Sequence, residues 1–187
     1  MPQLSKSIHQ KPLTALLYGH SGLGKTTLWS RMSKFPEFCP IYCADLDLRI
    51  AAVKATLSDS EMENIHFDEY RDTKFQGDAA VEVMKIANNP DSIDKKYGLT
   101  FKTIVIDSGT FWMRAAMSRI LFLDGGKAPT TQPTLPNYMS QMSLTEELVS
   151  KLCGSGRNLI LTCHEKNNKD EVVGRLYKTV DLTGDKP

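Results

Sequence analysis

The sequence has few features of a secreted, membrane or strongly basic protein. It contains only four cysteines and no C-x-x-C pair, which argues against a zinc site or a disulfide framework and favours reduced thiols. The opening residues, MPQLSKSIHQKP, lack the apolar core of a signal peptide, and no apolar run approaches the length of a membrane span. The net charge is +1, so a nucleic-acid partner would require a local basic patch. These absences predict a cytoplasmic protein with no membrane contact.

The remaining composition is that of an ordinary globular domain. With 41% hydrophobic and 24% charged residues, the chain can bury a substantial core, and we expect one domain over residues 1–187. Residues 1–12 are expected to form a polar, flexible lead-in. Little sequence follows the last predicted strand, so we expect either a minimal fold or a C-terminal continuation.

Short apolar runs alternate with helical patterns along the chain. Predicted strands cover residues 13–18, 41–44, 64–70, 103–107 and 158–163, with a hairpin or strand pair at 172–173 and 176–182. Predicted helices cover residues 25–34, 48–57, 78–87, 109–123 and 138–152. Residues 95–102 and 124–137 are predicted as connections, the second being too rich in proline and glycine for regular structure. This alternation predicts an α/β fold, with a mostly parallel sheet flanked by helices.

The stretch that organises the rest is LTALLYGHSGLGKTTL, residues 13–28. Residues 19–26 fit G-x-x-x-x-G-K-[ST] at every fixed position, between a predicted strand and a predicted helix. Glycines let such a loop curl so that backbone N–H groups point at anionic oxygens, and the helix N-terminus adds further donors. We therefore expect a P-loop NTPase. Its predicted nucleotide-binding residues are Gly19, His20, Ser21, Gly22, Leu23, Gly24, Lys25, Thr26 and Thr27.

Two side chains of this loop, and one acid elsewhere, have an expected role with Mg²⁺ and phosphate. Lys25 reaches the β- and γ-phosphates as a point charge, and the Thr26 hydroxyl is suited to ligate Mg²⁺. Asp107 closes the β-branched run TIVID, and an acid at the end of such a buried strand typically holds Mg²⁺ through water. The alternative is that Asp107 caps the following helix, a role that Ser108 could share.

A second carboxylate is needed to activate water, because Asp107 is followed by Ser108 and not by Glu. Asp45 and Asp47 follow the second predicted strand, and strand ends on one edge of a parallel sheet converge on the ligand crevice. Asp47 is therefore the candidate for orienting the attacking water. The alternative is that Asp45 and Asp47 are an N-cap pair for the next helix.

The strand at 158–163 ends in His164, which is expected to face the γ-phosphate; the alternative is a purely structural histidine. Just beyond it, residues 168–171 read Asn-Lys-Asp-Glu, close to the guanine-reading tetrad Asn-Lys-x-Asp. The last position is Glu and the segment lies past the strand, so we assign it to a turn. ATP is the predicted nucleotide.

An ordered set of segments carries a family resemblance: GHSGLGKTTL, the Asp45-Leu46-Asp47 strand end, TIVIDS, the Pro-Asn-Tyr segment that opens a helix, and LILTCHEK. Together they resemble the phage-encoded RecA-like ATPases, the AAA-type phage nucleotide-binding proteins that include Sak4-like recombination proteins. The resemblance implies a RecA-like core and Mg²⁺-dependent ATP hydrolysis coupled to single-stranded DNA, in recombination or annealing in the host cytoplasm. It also implies catalytic roles for Lys25, Asp47 and His164. In that family the position of Asp47 is often Glu.

The resemblance also implies partners. RecA-like cores work as rings or filaments in which a neighbour's basic residue reaches the γ-phosphate, so we expect a homo-oligomer, and a single-strand DNA-binding protein is a further expected partner. The candidates for that basic residue are Lys166, Arg175 and Lys178.

The expected DNA contacts lie around the long loop at 124–137, because single-strand binding needs basic residues interleaved with aromatics. They are Lys127, Tyr138, Arg114 and Arg119. The alternative is a mobile surface loop.

Two other functions fit a P-loop. A small-molecule kinase usually carries an arginine-rich lid, and the arginines here are not clustered. A non-hydrolysing, ATP-dependent scaffold in phage assembly or packaging remains open because Asp47 is shorter than the family's Glu.

Overall fold

The computed structural model describes residues 11–54, 56–128, 130–169 and 176–180. Its strands are β1 (Thr14–Gly19), β2 (Ile41–Asp45), β3 (Ile65–Glu69), β4 (Thr103–Asp107), β5 (Asn158–Lys169) and β6 (Leu176–Val180). Its helices are α1 (Lys25–Ser30), α2 (Ile50–Lys54), α3 (Asp59–Met62), α4 (Asp78–Asn88), α5 (Asp91–Tyr97), α6 (Gly109–Leu123) and α7 (Leu135–Gly154), with a 3₁₀ turn at Arg31–Lys34. No helix within these ranges is long and apolar enough to cross a bilayer.

The strands form one sheet in the order β1-β5-β4-β2-β3, with β6 paired to β5. Strands β1 to β5 run parallel, and β6 is antiparallel to the far end of β5. The register aligns Gly19 with His164, and Asp45 with Asp107. These strand ends therefore meet at the carboxyl edge of the sheet, which is where open parallel sheets bind ligands.

Helices cover both faces of the sheet. The larger core packs the sheet against α4, α6 and α7 around Trp112, and the smaller one surrounds Trp29 of α1 on the opposite face. Every residue of β2 and β4 is buried. Strands covered on both faces read as continuous apolar runs, so the predictions for these two strands are confirmed.

β1 differs from its prediction as a buried strand. Its residues alternate between exposed and half-buried as far as Tyr18, and Leu16 and Tyr18 keep 44% and 55% of their surface exposed. Within the described part of the chain β1 pairs only with β5, so it lies at the edge of the sheet. An apolar run alone cannot distinguish an edge strand from a central one.

Other boundaries differ where local capping or pairing decides them. Residues 31–34 form a 3₁₀ turn and not the last turn of α1. Helix α5 covers Asp91–Tyr97, so the connection predicted at residues 95–102 was wrong for residues 95–97. β5 continues past Cys163 because its pairing with β6 extends it beyond the main sheet. The predicted α4 and α6 are confirmed, and the strand expected at 172–173 lies outside the described residues.

Candidate functional site

A cavity of about 180 Å³ opens at the carboxyl edge of the sheet. Its lining is Ser21, Gly22, Gly24, Lys25, Thr26, Thr27, Asp47, Arg49, Val53, Asp107 and His164. The cavity is smaller than the pockets that enclose whole drug-sized ligands. It is therefore of a size for phosphate groups, with the rest of a nucleotide outside it.

The glycine-rich loop forms one wall of the cavity. Gly24 caps α1 in the left-handed conformation (φ 81°), which favours glycine, and its carbonyl accepts from the Leu28 N–H at 2.7 Å. The Lys25 ammonium donates to the carbonyls of Gly19 and His20, at 2.8 and 2.9 Å. These two bonds hold the positive charge at the loop. Leu23, another predicted loop residue, is 70% exposed and is not among the residues that line the cavity.

Asp107 lies beneath this loop, 3% exposed, and its carboxylate has three side-chain donors. Thr26 Oγ1 and Trp29 Nε1 donate to Oδ2 at 2.8 and 2.9 Å, and Thr162 Oγ1 donates to Oδ1 at 2.5 Å. Ser108, and not Asp107, caps α6, because the Ser108 Oγ accepts from the backbone N–H of Phe111. Asp107 therefore stays in contact with the phosphate loop.

The oxygens of Thr26 and Asp107 fit a magnesium ion. Both are hard oxygen donors, and the hydrogen bond between them places them side by side. No group of three or more His, Cys, Asp or Glu side chains suited to a metal occurs in the described ranges. Because Mg²⁺ usually keeps several waters and is held by one or two protein oxygens plus phosphates, this sparse donor set suits it.

Asp45 and Asp47 have different roles, although the sequence left them as a pair. The buried Asp45 carboxylate accepts from the backbone N–H of Leu48 at 2.7 Å and of Ile50 at 3.1 Å, which caps α2. Burial raises the pKa of Asp45, while these backbone donors oppose the rise. Leu48 takes a left-handed conformation (φ 57°) in the same turn. Asp45 thus shapes the turn from which Asp47 reaches the cavity.

Asp47 faces His164 across the cavity. Its Oδ2 lies 3.8 Å from Nε2 of His164. Burial raises the pKa of Asp47, against the opposing charges of Arg49 and His164, and burial lowers the pKa of His164. His164 Nε2 is buried and, among the described residues, has no hydrogen-bond partner. A water or phosphate oxygen in the cavity would satisfy it.

Arg49 is a site residue that the sequence reasoning missed. Its Nη1 donates to Ser21 Oγ of the loop at 2.7 Å, and its Nε lies 3.2 Å from Asp47 Oδ2. It therefore links the phosphate loop to Asp47. The available signal was a basic residue two positions after the candidate acid, in the turn after a central strand.

The partner-binding candidates are more dispersed. Lys166 lies in β5, paired in register with Thr179 of β6, whereas Arg175 and the side chain of Lys178 lie outside the described part. Residues 168 and 169 of the guanine-like segment extend β5, and its last two residues are not described.

Three of the four DNA contacts expected around the long loop have a local partner in the structure. Lys127 pairs with Asp124 at 2.6 Å. Arg114 and Arg119 lie over the rings of Phe111 and Phe122, on α6. Tyr138, on α7, is half-buried.

Comparison with known proteins agrees with this geometry. A family model described as "AAA domain" matches residues 11–184. A prototypical ATPase from the type III secretion system of pathogenic bacteria superposes with a TM-score of 0.59 at 17% identity, over 88% of this chain and 47% of that one. The RadB recombinase superposes with a TM-score of 0.49 at 12% identity, over 89% of this chain and 68% of that one. No curated protein sequence matches significantly.

The superposition on the secretion ATPase bears on the fold of this chain. The chain spans about half the length of the secretion ATPase it matches. At 17% identity this likeness shows the fold alone, a mostly parallel sheet flanked by helices.

Proposed function

Since the chain belongs to the AAA domain family, we propose that it binds and hydrolyses ATP with Mg²⁺ and couples this reaction to single-stranded DNA. The observation that supports the ATPase part is the convergence of Lys25, the Thr26–Asp107 pair, Asp47 and His164 on one phosphate-sized cavity. Their strands are far apart in sequence, and the parallel register brings their ends together.

Binding of the triphosphate uses the loop. Lys25 exchanges a carbonyl partner for phosphate oxygens and neutralises part of their charge. Thr26 and Asp107 would hold Mg²⁺, which when bound would neutralise charge on the β- and γ-phosphates. The Thr162 and Trp29 bonds to Asp107 keep its carboxylate in place while this happens.

Hydrolysis uses the opposite wall of the cavity. Asp47 accepts a proton from a water as the water oxygen bonds to the γ-phosphorus and the bond to the leaving ADP oxygen breaks. The burial that raises its pKa makes this carboxylate a better proton acceptor. His164 stays neutral near pH 7, because burial lowers its pKa, and its Nε2 hydrogen-bonds the water or the γ-phosphate.

The DNA part of the proposal rests on the motif resemblance. Under this proposal the protein acts on single strands in recombination or annealing in phage replication, as a homo-oligomer, like the RecA-like ATPases that its motifs resemble. In such an assembly a neighbour's basic residue completes the site, and Lys166, Arg175 and Lys178 are the candidates.

Phosphate release from Mg·ATP tests the ATPase part, together with binding of a fluorescent ATP analogue. We expect Asp47→Asn to bind the analogue within a few-fold of wild type and to lose about 100-fold in turnover, the usual contribution of a general base. Asp59→Asn, an exposed acid on α3, is the control and should hydrolyse normally. Normal turnover in Asp47→Asn would contradict the assignment.

A non-hydrolysing ATP-dependent switch is the second candidate, because the Asp47 carboxylate is engaged by Arg49. That function predicts analogue binding with no phosphate release in the wild type.

A further inference from the structure

A groove of about 500 Å³ lies beside the phosphate cavity, between residues 70–75 and α6. Its lining includes the rings of Tyr70, Phe75 and Phe111 and the charged groups of Arg71, Asp72 and Arg114. We call it the aromatic groove, because three rings contribute to it. None of the DNA contacts expected from the long loop except Arg114 lies in it.

Phe75 is the most exposed of these rings. It keeps 65% of its surface exposed, in a left-handed conformation (φ 53°) that is uncommon for an aromatic residue. The turn that carries it is held firmly, since the Asp72 carboxylate accepts from the backbone N–H of Gln76 and of Gly77, both at 3.0 Å. Gly77 packs so tightly on α6 that a Cβ there would lie 2.4 Å from Arg119 Cβ. The ring is therefore presented to solvent on a rigid support.

The charge of the groove suits an anion. Arg71 and Arg114 line it, against the single acid Asp72, whose two oxygens are taken by backbone donors. Arg71 pairs with Glu69 at 2.9 Å, an exposed ion pair of the kind that contributes little and exchanges readily. The Arg114 guanidinium lies 5.3 Å from the centre of the Phe111 ring. Arginine stacked beside aromatic rings is the combination that binds bases and phosphates together.

The groove is also in contact with the proposed catalytic residues. The Phe111 ring lies 5.7 Å from the His164 ring, edge to face. Leu46 and Leu48 flank Asp47 in the turn after β2 and form part of the groove wall. An occupant of the groove would therefore press on both sides of the hydrolytic pair.

We propose that the aromatic groove binds single-stranded DNA, with bases stacked on Phe75 and Phe111 and phosphates on Arg71 and Arg114. The inference rests on the proposed function. It adds where the single-stranded DNA binds and how its binding could reach Asp47 and His164. A single strand is favoured over a duplex because stacking on these rings requires unpaired bases, whose faces are free.

The test is binding of a fluorescent oligo-dT of about 15 nucleotides, measured by anisotropy. Phe75→Ala should raise the Kd by roughly tenfold, the loss of one stacked base. Phe35→Ala is the matched control, because Phe35 is 51% exposed and lies in the turn after the 3₁₀ segment, near the amino edge of the sheet. It should bind within about twofold of wild type.

A salt titration examines the phosphate contacts separately. Arg71→Ala should lower the slope of log K against log salt by about 0.7, the contribution of one phosphate on a single strand. Arg31→Ala, which removes an exposed arginine outside the groove, should leave the slope unchanged. Wild-type protein cross-linked to oligo-dT containing 4-thiothymidine should be labelled within residues 70–75 or 111–118.

The contrary outcomes separate the two proposals. If wild type binds oligo-dT and Phe75→Ala binds equally well with no label in the groove, the groove assignment is wrong and the DNA function stands. If wild type does not bind, both fail. If Phe75→Ala instead changes the oligomeric mass and not the DNA affinity, the groove is a contact between copies, and the assignment of the groove to DNA is wrong.

Discussion

Two acids at neighbouring strands of the sheet, Asp47 and Asp68, occupy opposite environments. Asp68, in β3, accepts from Tyr42 and Tyr97, each at 2.9 Å, and from Lys96 at 2.5 Å. Burial alone would raise the pKa of Asp68, but these donors hold it below its ordinary value. Asp47 has one cation at 3.2 Å and His164 at 3.8 Å, and burial raises its pKa.

The difference separates an acid that stabilises the fold from one kept for chemistry. Hydrogen bonds to a charged carboxylate favour its charged form and link the elements that donate them. Here they tie Asp68 to β2 and α5. A buried acid without enough donors costs stability but retains a raised affinity for protons, which is common at functional sites. On this reading the Asp47 region contributes function and the Asp68 region contributes stability.

Removing the loop cation should give the largest effect on the functional side. Lys25→Ala is expected to weaken ATP-analogue binding by about 100-fold, because the phosphates lose their half-buried charge partner. Its thermal stability should change little, since Lys25 bonds only to two loop carbonyls. Lys34→Ala, an exposed lysine paired with Glu61, is the binding control. Unchanged affinity in Lys25→Ala would contradict the assignment of the phosphate site to this loop.

Asp68→Ala should reverse that pattern. Truncation removes the charged acceptor that the Tyr42 and Tyr97 hydroxyls share, at about 1.5–3 kcal/mol for a hydrogen bond to a charged group. Urea denaturation measures the loss, and phosphate release should continue at the wild-type rate in the folded protein. A loss of turnover larger than the loss of stability would show that the two regions are not separate.

Arg49 and Arg71 offer a smaller comparison of matched ion pairs. Both arginines are more than half exposed and pair with an acid two residues before them. Arg49→Ala should weaken ATP binding several-fold and ADP binding less, because Arg49 bridges Ser21 and Asp47 at the phosphate cavity. Arg71→Ala should change neither affinity. Equal effects of the two substitutions on nucleotide affinity would show that Arg49 has no role in nucleotide binding.

The smallest expected effect is on the pH dependence of stability, which should have opposite signs for Asp68 and Asp47. For Asp68 the folded pKa is lowered, so its stabilisation is present above about pH 4, the ordinary pKa of Asp, and is lost as the pH falls through the lower folded value. For Asp47 the folded pKa is raised, so its cost appears as the pH rises through that value. Urea titrations of Asp68→Asn and Asp47→Asn against wild type should therefore diverge in opposite directions between about pH 3 and 6. Parallel curves would contradict the contrast.

Local sequence patterns were sufficient to predict the central strands and the phosphate loop. IYCAD and TIVID predicted buried strands, and the G-x-x-x-x-G-K-T pattern predicted the loop between strand and helix. The edge position of β1 depends on strand order, which one sequence does not encode locally. The split between Asp45 and Asp47 depends on which carboxylate meets the N–H groups of Leu48 and Ile50, a matter of turn geometry.

Local sequence patterns also do not predict side chains that connect different helices, strands and loops. Arg49 and the aromatic groove join residues far apart in sequence, and their role follows from packing. α5 was missed because Asn-Asn-Pro-Asp reads as a stop, whereas Pro90 supplies the N-cap of a new helix.

The most direct test of the proposed function is phosphate release from Mg·ATP by wild-type protein, with and without oligo-dT. We expect measurable turnover that oligo-dT increases, because Phe111 of the aromatic groove contacts His164 and Leu46 and Leu48 flank Asp47. Nucleotide binding without phosphate release in either condition would contradict it, and the Asp47–His164 cavity would then be a binding switch.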